Sequence, residues 1–189
     1  KEKTIFTGQS TRYIPGRVVG SQITHAEFFK KPHPKWEVQL LSTYSAQYHA
    51  GGPRGLIDGI HGDSNWRKGE WQGYQGQDFE AIVKFDEARS ISEFSGTFLQ
   101  DTGPWILFPK KVEYYISMDG IQYELAATAT HDIPASDLKP QVRDFSARLA
   151  APRETRFVKV KAYNFGKLPA WHAGAGYDAF IFVDELDFK

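Results

Sequence analysis

The chain has no cysteine in its 189 residues. Disulfides, thiolate metal sites and a cysteine nucleophile are therefore excluded, although this leaves the compartment open. Net charge is absent as well, with 23 lysines and arginines against 23 aspartates and glutamates. A balanced chain offers no electrostatic footprint for nucleic acid or for an anionic membrane surface. No apolar run approaches the ~20 residues of a membrane-spanning helix. The opening KEKTIFTGQS lacks the apolar stretch of a signal peptide and reads as part of a mature or trimmed segment. Convincing helical periodicity is also missing.

Aromatic residues, by contrast, are plentiful, at 15% of the chain, and together with glycine and proline they favour a β-rich domain with functional loops. Residues 1–34 hold several prolines and glycines and only short β-prone pieces. They read as an extended N-terminal arm or the tail of a preceding domain. From Trp36 onward strand signals recur over 36–43, 78–85, 90–99, 111–118, 121–127, 155–163 and 178–188. In the second, Phe79, Ala81, Val83 and Phe85 share one face. In the fourth, Val112, Tyr114, Ile116 and Met118 do, and Asp119-Gly120 predicts a compact turn to the next strand. The stretch 131–153, broken by Pro134, Pro140 and Pro152, reads as irregular. One domain of short, one-sidedly apolar strands over 35–189 predicts an all-β, antiparallel β-sandwich.

No catalytic motif emerges. G-x-S-x-G, H-E-x-x-H, P-loop and EF-hand patterns are all missing. G-A-G-Y-D-A (174–179) matches a dinucleotide fingerprint in letters only, because a strand rather than a helix follows it. The six histidines have no close ligand spacing. The pairs Asp86-Glu87 and Asp184-Glu185 place their members on opposite faces of a strand, so neither pair acts across one bond. The expectation is a chain that is not itself an enzyme.

Four segments carry a family resemblance. L-I-D-G-I-H-G-D-S-N-W (56–66), S-M-D-G-I-Q-Y (117–123) and the strands R-F-V-K-V-K-A (156–162) and F-V-D-E-L-D-F (182–188) resemble those of discoidin-like, or coagulation factor 5/8 type C, domains. In bacteria this fold is the carbohydrate-binding module family 32. W-Q-G-Y-Q-G-Q-D-F-E (71–80), F-L-Q-D-T-G-P-W-I-L-F-P-K-K-V-E (98–113) and N-F-G-K-L-P-A-W-H-A-G-A-G (164–176) look like the C-terminal accessory region of bacterial family-20 β-N-acetylhexosaminidases. The resemblance covers about 35–189 and implies a jelly-roll, galactose-binding-like sandwich with binding loops at one end. Residues 1–34 would then be the tail of a preceding linker domain. It further implies a monomeric, non-catalytic module of a periplasmic, cell-surface or secreted bacterial enzyme. Its partners would be the catalytic domain of the same polypeptide and a glycan containing galactose or N-acetylhexosamine. The alternative is a module that buttresses the catalytic domain without binding sugar.

The same resemblance implies a structural calcium ion, which takes six to eight oxygens. Asp58 and Glu185 are its side-chain candidates, with Asp63, Ser64 and the backbone of His61 supplying further oxygens. For sugar, an aromatic platform beside fixed polar groups is needed. The loop 100–105 offers Trp105 with Asp101, and the loop 162–172 offers Trp171 and His172 with Asn164. Burial is the competing role for each tryptophan. In N-W-R-K-G-E-W-Q-G-Y-Q-G-Q (65–77), Trp66 matches the family's core tryptophan, while Trp71 and Tyr74 stay open between core and platform.

Overall fold

The computed structural model describes residues 35–189, together with the backbone of two short paired strands upstream, β1 (Val18–Val19) and β2 (Gln22–Ile23). The expected arm at 1–34 otherwise lies outside the described residues. Seven strands follow: β3 (Glu37–Leu40), β4 (Gln72–Gln75), β5 (Phe79–Gln100), β6 (Val112–Ser117), β7 (Glu124–Ala129), β8 (Gln141–Ala162) and β9 (Phe180–Phe188). All pair antiparallel.

The two long strands build the sandwich. Residues 79–84 of β5 pair with 157–162 of β8, and residues 93–100 of β5 pair with 141–148 of β8. Between these arms the register shifts twice. Residues 85–88 bulge out of β5 and residues 149–152 bulge out of β8. Bulges bend a strand and strengthen its twist, so both strands turn a corner and continue in the other layer. One layer is β3, the first arm of β5, the second arm of β8, β6 and β7. The other is the first arm of β8, the second arm of β5, β9 and β4. The fold is an all-β antiparallel sandwich of jelly-roll type.

This corrects the irregular reading of 131–153. Residues 141–148 form a regular arm of β8, because none of the three prolines interrupts its ladder. Pro134 lies in the preceding loop, Pro140 stands just before the strand, and Pro152 occupies the bulge. A residue without an N–H is tolerated in such places. Residues 72–75 form a further strand that the sequence signals do not include, pairing with β9.

The alternating faces fall where the sequence places them. Phe79, Ala81, Val83 and Phe85 are fully buried, as are Val112 and Tyr114, with Ile116 nearly so. Met118 does not join that face, because β6 ends at Ser117. The turn after it is longer than two residues. Asp119 Oδ1 accepts from the amides of Ile121 and Gln122 and from Ser117 Oγ, while Gly120 takes a φ of 73°. The carboxylate thus takes amides that a tight hairpin would give to the ladder. Across the core, Tyr114 of one layer stacks on Phe94 of the other and donates its hydroxyl hydrogen bond to the Phe145 carbonyl. Trp71 and Tyr74 resolve as core, 1% and 0% exposed. Each polar atom is satisfied: Trp71 Nε1 donates to the Asp63 carbonyl, and the Tyr74 hydroxyl to Gln72 Oε1.

Candidate functional site

The ends of β5 and β8 and the starts of β6 and β9 converge at one end of the sandwich, so the loops 101–111 and 163–179 lie side by side. In the first, the amides and carbonyls of Asp101 and Ile106 bond each other reciprocally and pinch off a tight turn. Trp105 closes that turn with φ 72°, a left-handed conformation unusual for a bulky residue. The strain is held from both sides: the Trp105 amide donates to the Thr102 carbonyl, and its own carbonyl accepts from the Phe180 amide at 2.8 Å. The indole is thereby aimed at the second loop. It stacks on Tyr177 with ring centroids 5.1 Å apart. It also lies so close to Gly174 that a Cβ there would come within 2.7 Å of the ring.

The second loop is pegged from inside. Asn164 donates from Nδ2 to the carbonyls of Gln77 and Ala179, and its Oδ1 accepts from the Gly166 amide. His172 bonds the Thr102 carbonyl through Nε2 at 2.8 Å and accepts the Gly174 amide at Nδ1. That acceptor role assigns the ring proton to Nε2. Leu168 and Ala179 pack with Leu107 into a small core beneath the loop, and a 2.8 Å ion pair between Lys167 and Asp178 clasps its stem. On this fixed base two aromatic side chains remain outside, Trp171 at 53% and Tyr177 at 62% exposure.

The loop 131–140 backs the first. Thr102 Oγ1 donates to the carbonyls of Ala135 and Asp137, and Gln100 Nε2 to those of Pro134 and Asp137. His131 anchors this loop, its ring edge-on to Phe108 and Phe145, and its Nδ1 accepts from the Ile133 amide. Burial holds the imidazole below its ordinary value, against a hydrogen bond to the Pro109 backbone and the charge of Asp132. As pH falls, the unfolded chain takes up this proton first. The contribution is therefore intact above about 6.5 and is lost as pH falls toward the lowered folded value. Urea unfolding at pH 7.5 and 5.5 should show lower stability at 5.5, and His131→Gln should reduce that difference.

A third loop, 58–71, runs along β9 and meets the others at Asp101. Asp58 and Glu185 are both buried. Asp58 Oδ1 accepts the Ile60 amide and Glu185 Oε1 the Gly59 amide, so both carboxylates address the same turn. Neighbouring Asp184 takes the Gly62 amide. Asp63 faces elsewhere. It bonds Lys68 and caps the Asn65 amide, and the hydrogen bond from Lys68 leads in holding its carboxyl below the ordinary range. His61 and Ser64 are exposed. Among the described residues no group of three or more His, Cys, Asp or Glu is arranged to hold a metal. Trp66, expected in the core, is instead half-buried at its margin: it packs edge-on to Tyr48 and Phe182 and donates from Nε1 to Asp101 Oδ2 at 3.2 Å.

Other outward aromatics are unsuited to stacking a ligand. Lys111 and Lys161 lie over the Tyr163 ring, and Lys159 lies over Tyr115 and Tyr123. Tyr115 and Tyr163 donate their hydroxyls to Glu113. Burial alone would raise the Glu113 carboxyl, but hydrogen bonds from Lys111, Tyr115 and Tyr163 outweigh it and hold it at about 2.

The loops named from sequence do assemble, but the roles within them divide. Trp171 is an open surface. Trp105 is only partly exposed and backs Tyr177. Asp101 serves the Trp66 indole. The polar side-chain atoms of Asn164 and His172 are engaged in holding the loop. The structure adds Tyr177, an exposed ring that the sequence expectations do not include. Its sequence signal is a tyrosine set between Gly176 and Asp178 in a loop that already carries Trp171.

No family model matches the chain, and no curated protein matches it. Solved structures do. A family 32 carbohydrate-binding module from Clostridium perfringens, in complex with GalNAc-β-1,3-galactose, aligns with a TM-score of 0.54 at 16% identity, over 83% of this chain and 96% of that one. The family 32 module of Clostridium perfringens NanJ, in complex with galactose, gives 0.53 at 17% identity over 85% and 97%. The C-terminal domain of a chitobiase from Bacteroides fragilis gives 0.50 at 16% identity over 82% and 93%. At these identities the likeness is one of fold, and the fold is the discoidin-like, galactose-binding-like sandwich of family 32 modules.

Proposed function

We propose that residues 35–189 are a non-catalytic carbohydrate-binding module whose glycan lies on Trp171 and Tyr177. The observation that carries this reading is the pair of exposed aromatic rings on a loop pegged by Asn164 and His172. A sugar presents an apolar C–H face that stacks on such rings, and rigid presentation lowers the ordering cost of binding. Family 32 modules in complex with galactose and with GalNAc-β-1,3-galactose share the fold, which supports galactose- or N-acetylhexosamine-containing glycans as the first to try. The module would serve a secreted, periplasmic or cell-surface bacterial glycoside hydrolase of β-hexosaminidase type, as a monomeric unit of that polypeptide, raising its local concentration on substrate. The chitobiase domain of the same fold is in keeping with that parent. A glycan array probed with the domain tests the reading, and binding to no glycan would sink it.

The internal use of Asn164 and His172 favours a second reading, in which the aromatic loops rest against a catalytic domain and bind no sugar. An array without hits, with the domain nonetheless retained by its catalytic partner in a pull-down, would select it.

Asp58 and Glu185 are proposed as calcium ligands. They fit in chemistry, being buried carboxylates that address one turn, and backbone carbonyls of that turn, His61 included, would supply the rest. When bound, calcium would cross-link the 58–62 turn to β9. Adding calcium after chelation should then raise the melting temperature by several degrees, and Glu185→Gln should remove the rise. A melting temperature indifferent to both chelator and calcium would argue against the ion.

A further inference from the structure

Two cations stand side by side in the 3₁₀ turn Trp66–Lys68, and they are treated differently. Lys68 is neutralised by Asp63. Arg67 is exposed, and its guanidinium lies over the Trp66 ring at 4.1 Å from the centroid. Among the described residues no carboxylate pairs with it. The ring beneath does not move freely, because Tyr48 and Phe182 pack on it and Asp101 holds its Nε1. A guanidinium held over a ring by cation–π attraction loses less freedom when its planar fork of N–H donors takes up a carboxylate or sulfate. Asp101, which holds the indole beneath Arg67, also begins the turn that carries Trp105, so one carboxylate ties the ring under this cation to the aromatic loops.

We infer that Arg67, laid on Trp66, receives an anionic substituent of the glycan, so that the module selects acidic over neutral sugars. This rests on the glycan-binding reading of the aromatic loops. The shared chemistry is a carboxylate or sulfate ester on a sugar ring. Asn65, exposed on the same turn, offers a neutral donor for the ring hydroxyls. Of the nearby carboxylates, Asp101 is turned to the Trp66 indole edge and Asp63 to Lys68, and neither forms an ion pair with Arg67.

The test titrates the whole chain with three polymers at matched size and 50 mM salt: neutral galactan, polygalacturonate for the carboxylate, and chondroitin sulfate, which carries both groups. Wild type should bind at least one acidic polymer about tenfold more tightly than galactan, a preference that weakens as salt rises. Arg67→Ala should erase that preference and leave galactan binding unchanged. Arg67→Lys should recover only part of it, because a lysine keeps the charge and loses the planar fork. Equal affinity for acidic and neutral polymers, or an acidic preference untouched in Arg67→Ala, overturns the inference while leaving the aromatic site standing. Absence of binding to all three, with no hits on the array, overturns the glycan reading itself and this inference with it. The substituted residue is exposed, so circular dichroism spectra of the variants should overlay that of wild type.

Discussion

Alanine at Trp171 and Tyr177 together is expected to abolish glycan binding and leave the sandwich folded. Both rings project from a loop whose backbone is held by other residues, Asn164 and His172 below and the Lys167–Asp178 pair at the stem. Their removal therefore takes away contact surface and not scaffold. A single stacking platform of this kind contributes about 1–3 kcal/mol to a shallow site, so each single variant should weaken binding roughly tenfold or more, and the pair should take it below detection. Trp171→Ala should change unfolding free energy by under about 0.5 kcal/mol, as exposed substitutions do. Tyr177→Ala also uncovers Trp105 and should cost up to about 1 kcal/mol. Calorimetric titration beside urea unfolding separates the two effects. Full binding in the double variant would remove these rings from the site.

Tyr114 is where the largest loss of stability is expected. Its ring stacks on Phe94 in the opposite layer, and its hydroxyl donates to the Phe145 carbonyl there, so one side chain ties the layers by packing and by a hydrogen bond. Burial also keeps the phenol protonated far above its ordinary range, with the charge of Asp144 adding to the effect, so the donor is constant across working pH. Tyr114→Phe should cost about 1–2 kcal/mol, the bond alone. Tyr114→Ala should cost roughly 4 kcal/mol, because a cavity opens between the layers. Urea denaturation of both variants gives the split. A Phe variant as damaged as the Ala variant would mean that the hydrogen bond, not the packing, joins the layers.

Much of this architecture can be read from the letters. Alternation alone identifies the buried face of Phe79 to Phe85 and of Val112 to Ile116, because one side of each strand meets the core. Turn chemistry places Asp119-Gly120. What is not legible is where a strand continues through a bend. Pro152 looks like a terminator and instead sits in a bulge, since only the partner strand decides which residue goes unpaired. The site is legible as loops but not as roles. Asn164, His172 and Trp105 have side chains suited to sugars, and here their hydrogen bonds and stacking hold the loop that presents Tyr177 and Trp171. Whether an asparagine faces a ligand or its own backbone depends on carbonyls such as those of Gln77 and Ala179, which no local pattern brings together.

The corner-turning of β5 and β8 has a kinetic consequence. Each layer contains one arm of both strands, so neither can nucleate as an independent half, and pairing must close over long stretches of intervening chain, as between Phe79 and Ala162. Such distant closure places the module among slow, millisecond-to-second folders. The last strand, β9, then inserts between β4 and β5, so a nascent chain still missing those residues exposes the open edge of β5 and a bare apolar face, the state in which it most needs a chaperone.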